Sequence, residues 1–288
     1  MRIAMGGATG FVGKHLRRRF EAEGWAVIPL SRSDLALPAE ALAEKLIGAD
    51  VIINIAGAPV DRRWSRRYKA LLVSSRVGTT ERLVEAIGLL EVKPSLYIGG
   101  SAVGIYPSKK WHDELSEEYA YTFLGELCQQ WEAAATEVKA YGVRTVIFRL
   151  GIVLGNGGML SRMLPAFRLG LGGVVGNGRQ YLSWIHIGDL CEAFARAVSD
   201  AEMRGIYNLV APRVSTNKEL TEALGTRLHR PTFMRLPYWF LRLVFGEGAQ
   251  VIAGGQWAVP RRLLDAGFSF RFEHLGDALD NLLAKRHD

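Results

Sequence analysis

Gly7, Gly10 and Gly13 fall three residues apart in Gly7-Ala8-Thr9-Gly10-Phe11-Val12-Gly13, directly after an apolar stretch at residues 2–5 and directly before an amphipathic one. Glycines at that spacing between a strand and a helix suit the binding of a pyrophosphate. One allows a tight turn, another lets backbone N–H groups approach the phosphates, and the third lets helix and strand pack closely. The helix N-terminus then presents its positive end to the ligand. The segment reads as a dinucleotide-binding turn.

The next chemical clue follows the second apolar stretch, residues 26–30, which ends Leu30-Ser31-Arg32. An acidic residue there would hold the 2′-hydroxyl of NAD(H). Arg32 instead offers a guanidinium that pairs bidentately with a 2′-phosphate, a group a carboxylate would repel. NADP(H) is therefore the expected cofactor, with Asp34 the one nearby acid that a shifted strand end would bring into play.

Other reactive types read as structural. Asp189, three residues after His186, is expected to cap the helix that follows, and His186 to pack or bond locally. Cys128 and Cys191 are the only cysteines and belong to no metal-ligand pattern, so neither a disulfide framework nor a metal site is expected. Cys128 and Trp131 share a helical face with Leu124 and Leu127, which reads as core. Lysine and arginine number 36 against 29 acids, a formal charge of +7, with clusters at Arg17-Arg18-Arg19 and at Arg62, Arg63, Arg66 and Arg67. Such a balance suits a polyanionic ligand. No interleaving with aromatics, zinc-finger spacing or RNA-binding signature accompanies it, so nucleic acid is not expected.

The elements that must position these groups alternate. Strands are expected at residues 2–5, 26–30, 51–55, 95–99 and 144–149, with helices at 11–23, 39–46, 64–87 and 122–140. That rhythm implies a Rossmann-type α/β fold with a doubly wound parallel sheet. After Leu150 it changes. A Gly-rich stretch at 151–178 reads as substrate-side loops and a helix. Further helices are expected at 188–198, 217–228 and 238–245 and after Glu273, with a strand at 206–210. We therefore expect a cofactor-binding domain at 1–154 and a smaller C-terminal substrate-side region at 155–288, some segments of which return to the first domain. The 238–245 helix, Tyr238-Trp239-Phe240-Leu241 onward, has the apolar character of a membrane or partner helix, but with Arg242 its only charge and no basic face beside it, it reads as core or domain interface. The N-terminal apolar stretch is too short for a signal peptide or membrane span, so a cytoplasmic protein is expected, with no membrane partner.

With the elements placed, the whole chain resembles the atypical short-chain dehydrogenase/reductase superfamily, and within it the epimerase family related to nucleotide-sugar epimerases. The resemblance rests on the turn at residues 6–13, Asn54-Ile55-Ala56-Gly57, Arg62-Arg63-Trp64 and Ser75-Arg76. It continues in Trp131-Glu132-Ala133-Ala134-Ala135, the Arg149 to Gly155 segment, Phe167-Arg168-Leu169-Gly170-Leu171-Gly172-Gly173 and Trp184-Ile185-His186-Ile187-Gly188-Asp189. Pro260-Arg261-Arg262-Leu263-Leu264 and Ala266-Gly267-Phe268 are similar to the small C-terminal domain of unknown function that closes the family's members.

The resemblance implies cofactor contacts beyond Gly7: Thr9, Gly10, Phe11 and Val12 at the pyrophosphate, Ser31 and Arg32 at the adenosine phosphate, and Ile55, Ala56, Arg76 and Val153 along the rest. It also implies a catalytic Ser or Thr ending a strand, with Tyr and Lys four residues apart on the next helix. Ser101 fits the first place, expected exposed above its strand; a turn-forming serine is the competing reading. The helix beginning near Phe123 offers no Tyr/Lys pair. Tyr106 and Lys110 alone have the spacing, but they precede that helix. Tyr106 accordingly reads as pocket-lining or structural, and Lys109 and Lys110 as a solvated turn. Nucleotide-sugar epimerases carry an arginine for the substrate diphosphate just before the segment matching Ser183-Trp184-Ile185-His186. Here Leu182 stands there, leaving Arg179 or Arg168 to take that part. The expected function is an NADP(H)-dependent reductase or epimerase for a small-molecule substrate that can carry phosphate, in a monomer or small homo-oligomer. An NADP(H)-binding sensor is the alternative.

Overall fold

The computed structural model describes residues 1–108 and 110–284; Lys109 and residues 285–288 lie outside the description. Six strands make the central sheet: β1 (Arg2–Gly6), β2 (Ala26–Leu30), β3 (Val51–Asn54), β4 (Leu96–Ala102), β5 (Arg144–Leu150) and β6 (Gly205–Leu209). Their order is β2-β1-β3-β4-β5-β6 and every neighbouring pair is parallel. The chain leaves β1 for β2 on one side and returns to β3 on the other. The crevice at the carboxyl ends of β1 and β3 is thus the switch point where open α/β sheets bind ligands.

Strand residues are apolar at nearly every position because helices cover both faces. Alternation assigns them: Ile3, Met5, Ile53, Ile98, Val146 and Phe148 pack on one side with Leu16, Phe20 and Phe194. Ala4, Ile52, Tyr97 and Ile147 pack on the other with Leu42, Leu46, Leu83 and Ile87. The first layer is supplied by α1 (Phe11–Ala22) and α7 (Ile187–Ser199), the second by α2 (Ala39–Leu46), α4 (Thr79–Leu89) and α5 (Phe123–Thr136). Each fully buried side chain of this size contributes roughly 1.5–3 kcal/mol. Layer packing thus outweighs local propensity in holding so short a helix as α2.

The helix expected over 64–87 begins later and is interrupted. Ser65 caps α3 (Arg66–Val73) by accepting the Tyr68 N–H, and a π-helical turn, Ser74–Gly78, leads into α4. Apolar periodicity does not register one widened turn, yet this one carries Arg76. Strand β4 runs to Ala102, three residues past its expected end, because β5 pairs alongside up to Ala102↔Leu150.

Beyond β5, Ile152–Leu154 pairs in parallel with Trp184–His186, and Gly173–Val175 with Met234–Leu236. Helices α6 (Gly158–Arg168), α8 (Asn217–Leu228) and α12 (Leu275–Leu283) enclose an apolar cluster with Leu154, Leu182 and Trp184. Helices α9 (Tyr238–Phe245), α10 (Ala249–Ala253) and α11 (Arg261–Asp265) complete the C-terminal part.

Two expectations fail in this half. Asp189 does not cap α7: His186 does, its Nδ1 accepting the Gly188 N–H at 3.0 Å. The buried Asp189 carboxylate instead accepts the backbone N–H groups of Arg271 at 2.9 Å and Phe272 at 3.0 Å. An acid in the first turn of a helix satisfies whichever unpaired N–H groups the fold brings to it, and here these come from the C-terminal segment. Helix α9 is not core either, since Leu241 alone among its residues is fully buried. It packs on the molecule through Leu241 and the partly buried Phe245, and its end meets residues 63–64, as an interface helix would: Arg63 and the Trp64 N–H donate to the Leu243 and Phe245 carbonyls.

Burial pushes the His186 pKa down to about 4 from an ordinary 6.5, and the nearby positive charge of Arg271 acts in the same direction. Between those values the unfolded chain takes up a proton that the folded chain refuses, so stability falls as pH drops through that window. His186→Asn keeps an acceptor for Gly188 and removes the titration. Urea denaturation at neutral pH and near pH 4 is expected to show the pH-dependent loss shrinking by up to about 3 kcal/mol in the variant.

Candidate functional site

Gly7 has φ +87, a conformation that disfavours a side chain, and a Cβ there would lie 2.9 Å from the Ile55 carbonyl carbon. At Gly13 an added Cβ would come within 2.1 Å of the Gly7 oxygen. The Gly10 N–H donates to that same oxygen at 3.0 Å and closes the turn. No side chain caps α1, and its first turn holds no acid. Its leading N–H groups, beside exposed Thr9 and Gly10 and half-buried Phe11 and Val12, are therefore left for an anion.

The Phe11 ring lies across a loop of glycines: Cβ atoms at Gly155, Gly157 and Gly158 would fall 2.7, 2.3 and 3.1 Å from it. Half-buried Val153 sits just before that loop. At the end of β2, the Ser31 N–H and hydroxyl donate to Asp34 at 2.8 and 2.6 Å and hold its carboxyl below the usual range. The acid that could have faced a ribose is folded back into its own turn. Arg32 beside it is exposed.

At the end of β3, Asn54 accepts the Ala56 N–H at 3.2 Å and donates to Thr80, which also receives the Trp131 indole N–H. This fixes Ile55 and Ala56 against Gly7. Arg76 reaches the same place from the π turn, donating to the Ala58 carbonyl at 2.9 Å and lying 5.4 Å from the Trp131 ring centre. Bare Gly57 makes room for it, since a Cβ there would stand 2.8 Å from the guanidinium carbon. Its other terminal nitrogen, Nη1, is buried with no partner. A buried guanidinium N–H without an acceptor is costly, and a ligand oxygen would relieve it. The turn, Arg32 and this unpaired N–H fit a phosphorylated dinucleotide.

Ser101 differs from expectation. It is 3% exposed, and its hydroxyl donates to Glu132 Oε1 at 2.6 Å. Arg149, its partner across the β4–β5 pair, binds both Glu132 oxygens at 2.8 and 2.7 Å. The lengthened β4 carries Ser101 beneath α5 instead of above the sheet, and it forms no turn. The third arm of Arg149 donates to the Tyr106 hydroxyl at 2.7 Å, which also lies 2.9 Å from both the Asn208 Oδ1 and the Asp113 carbonyl. Tyr106 is fully buried, stacked on His112, and its pKa is pushed up to about 12, chiefly by burial. Lys110 points to solvent and pairs with Glu118. Tyr106 and Lys110 are not brought together.

Sequence reasoning named neither Glu132 nor Arg149 as functional, though a signal existed. An acid on the buried face of α5 and an arginine inside an apolar strand each need a partner. Leu182 packs in the apolar cluster with Trp184 and Phe167, while Arg168 and Arg179 are exposed. Near Arg179 a cleft of about 420 Å³ is lined by Val175, Asn177, Gln180, Tyr238, Gln250 and Ala253. Cys128 and Cys191 are buried thiols with pKa values pushed up to about 12 by burial. Among the described residues no group of three or more His, Cys, Asp or Glu is placed to hold a metal ion.

Known proteins match along nearly the full length. A family model described as the NAD dependent epimerase/dehydratase family matches residues 3–209, and one for a domain of unknown function (DUF1731) matches residues 236–282. The Bos taurus epimerase family protein SDR39U1 is 39% identical over 295 residues, covering 99% of this chain and 100% of the relative. The crystal structure of human epimerase family protein SDR39U1 (isoform 2) with NADPH superposes with a TM-score of 0.90 at 35% identity, over 98% of this chain and 99% of that one. The nucleoside-diphosphate sugar epimerase from Corynebacterium glutamicum gives a TM-score of 0.80 at 29% identity, over 98% of this chain and 58% of that one.

Arg149→Met leaves the Glu132 carboxylate buried without its cation. It is expected to lower the free energy of unfolding by about 3–5 kcal/mol. Arg149→Met with Glu132→Gln, which removes the stranded charge, is expected to recover part of that loss in the same denaturation experiment.

Proposed function

This chain belongs to the NAD-dependent epimerase/dehydratase family, and from that premise we propose that it is an NADP(H)-dependent atypical reductase or epimerase for a small carbonyl or sugar-nucleotide-like substrate. The observation that carries the reading is the convergence of the bare glycine turn, the free first turn of α1 and the unpaired Arg76 N–H on the β1/β3 crevice. The human relative solved with NADPH supports the choice of cofactor.

Gly7, Thr9, Gly10, Phe11 and Val12 would hold the pyrophosphate through backbone N–H groups, and Ser31 and Arg32 the 2′-phosphate. Ile55, Ala56 and Val153 would line the remaining length, and Arg76 Nη1 would donate to an oxygen there. A nicotinamide bound there would supply or accept a hydride. Ser101 is the residue proposed to handle the proton. Its own proton already points at Glu132, so it can take one from a substrate hydroxyl only by passing its own to that carboxylate. Residues 1–154 would serve the cofactor and 155–288 the substrate, with β6 returning to the sheet. The site would work in a reducing cytoplasm, where Cys128 and Cys191 stay as thiols.

A second reading is favoured by one observation. Tyr106 is walled in and Lys110 is at the surface, so the usual proton relay is absent from the crevice. The chain would then bind NADP(H) and report it to a partner without turnover.

A ligand that binds only the folded state raises stability by RT ln(1 + [L]/Kd). NADPH is expected to raise the melting temperature more than NADH at equal concentration. Arg32→Glu is expected to weaken NADPH by about tenfold to a hundredfold, the worth of a charge-assisted pair. Greater stabilisation by NADH would overturn the cofactor assignment. With NADPH bound, a panel of carbonyl compounds and nucleotide sugars is expected to give turnover that Ser101→Ala removes without changing the NADPH shift. Tight binding with no turnover across the panel selects the sensor.

A further inference from the structure

Helix α9 turns its apolar side chains outward. Trp239 is 67% exposed and Leu243 64%, with Tyr238, Phe240 and Val244 close to half. Phe233, 80% exposed, and Met234 lead into the helix. The pairing of Gly173–Val175 with Met234–Leu236 draws exposed Leu169 and Leu171 alongside. This much exposed apolar side chain on one helix and its flanking segments marks an interaction surface.

Charge selects the occupant. From residue 223 to residue 246 the chain has no Asp or Glu, and it carries Arg227, Arg230, Arg235 and Arg242. Arg227 is paired with Asp280, whereas Arg230, Arg235 and Arg242 are exposed. Arg63 adds a further cation, held at the end of α9 by its bond to the Leu243 carbonyl. Glu247, which follows α9, is already matched with Lys69, and Asp61, close in sequence to Arg63, with Arg162. The patch is thus apolar in the middle and cationic at its edge. A second copy docked through the same face would bring these arginines no acidic partner, because residues 223–246 contain none. An anionic bilayer meets both demands: its interface accommodates Trp and Tyr, and its headgroup phosphates pair with arginine. With eight residues α9 is far too short to span a membrane, and no described helix is long and apolar enough to do so. It would lie in the interface plane.

We propose that the α9 face, with Phe233 and Leu169 beside it, docks this protein reversibly onto an anionic lipid surface.

The test is co-sedimentation of the full chain with phosphatidylcholine vesicles made with and without phosphatidylserine. Binding to the anionic vesicles is expected to be at least about tenfold stronger and to weaken with salt. Trp239→Ser/Leu243→Ser and Arg235→Glu/Arg242→Glu should each drop to the level of neutral vesicles, with thermal unfolding checking that both variants fold. Equal binding to the two vesicle types, or variants that bind like the parent chain, would overturn the proposal. So would a concentration-dependent dimer in sedimentation velocity that the Leu243→Ser change abolishes, because a second copy would then cover the face.

Discussion

The closeness of helix α1 to strands β1 and β3 governs the rest of the candidate site. A single Cβ at Gly13 would strike the Gly7 oxygen, and one at Gly7 would strike the backbone after β3. Three backbone segments therefore meet with no side chain between them, and the leading N–H groups of α1 come to the edge of the sheet. The same contact aims Phe11 at the loop after β5, where Gly155, Gly157 and Gly158 leave space for its ring. Glycines more than 140 positions apart in the chain thus serve one packing arrangement, and the stretch that breaks the strand–helix rhythm does so partly to receive an aromatic from the first helix.

Next to this bare seam the structure places a dense polar one. Ser101, Glu132, Arg149, Tyr106 and Asn208 form a buried chain of hydrogen bonds that joins α5, β4, β5 and β6, and Asn208 carries it on to Val259. Burying an arginine and a glutamate demands close geometry, and both are satisfied here by bidentate pairing. Residues whose types suggest proton transfer are largely occupied in holding strands and helix together. Helix α5 itself, Phe123–Thr136, contains neither Tyr nor Lys.

The C-terminal part is fastened by similar means. Asp189 pins the chain before α12 through two backbone N–H groups, and His186 caps α7 while packing against Phe272. Helix α9 buries only Leu241 fully and is otherwise tied on at its C-terminal end, where Arg63 and the Trp64 N–H donate to the Leu243 and Phe245 carbonyls, so its remaining aromatic residues stay outside.

Much of this was legible in the residues alone. The alternation that separates Ile3 and Met5 from Ala4, the glycine spacing, and Arg32 at the end of β2 follow from strand period, backbone sterics and charge, which act over a few residues and so are written locally. The family's motifs carried the resemblance from one end of the chain to the other. Tertiary structure alone decided the fate of groups whose partners lie far away in the chain. Ser101 meets Glu132 31 positions on, and Asp189 meets backbone 82 and 83 positions on. Arg76 is left one bond short by a π turn that hydrophobic periodicity cannot reveal. Whether α9 would be buried depended on how much apolar surface the rest of the chain could offer it, and that sum is settled only when every element has been packed.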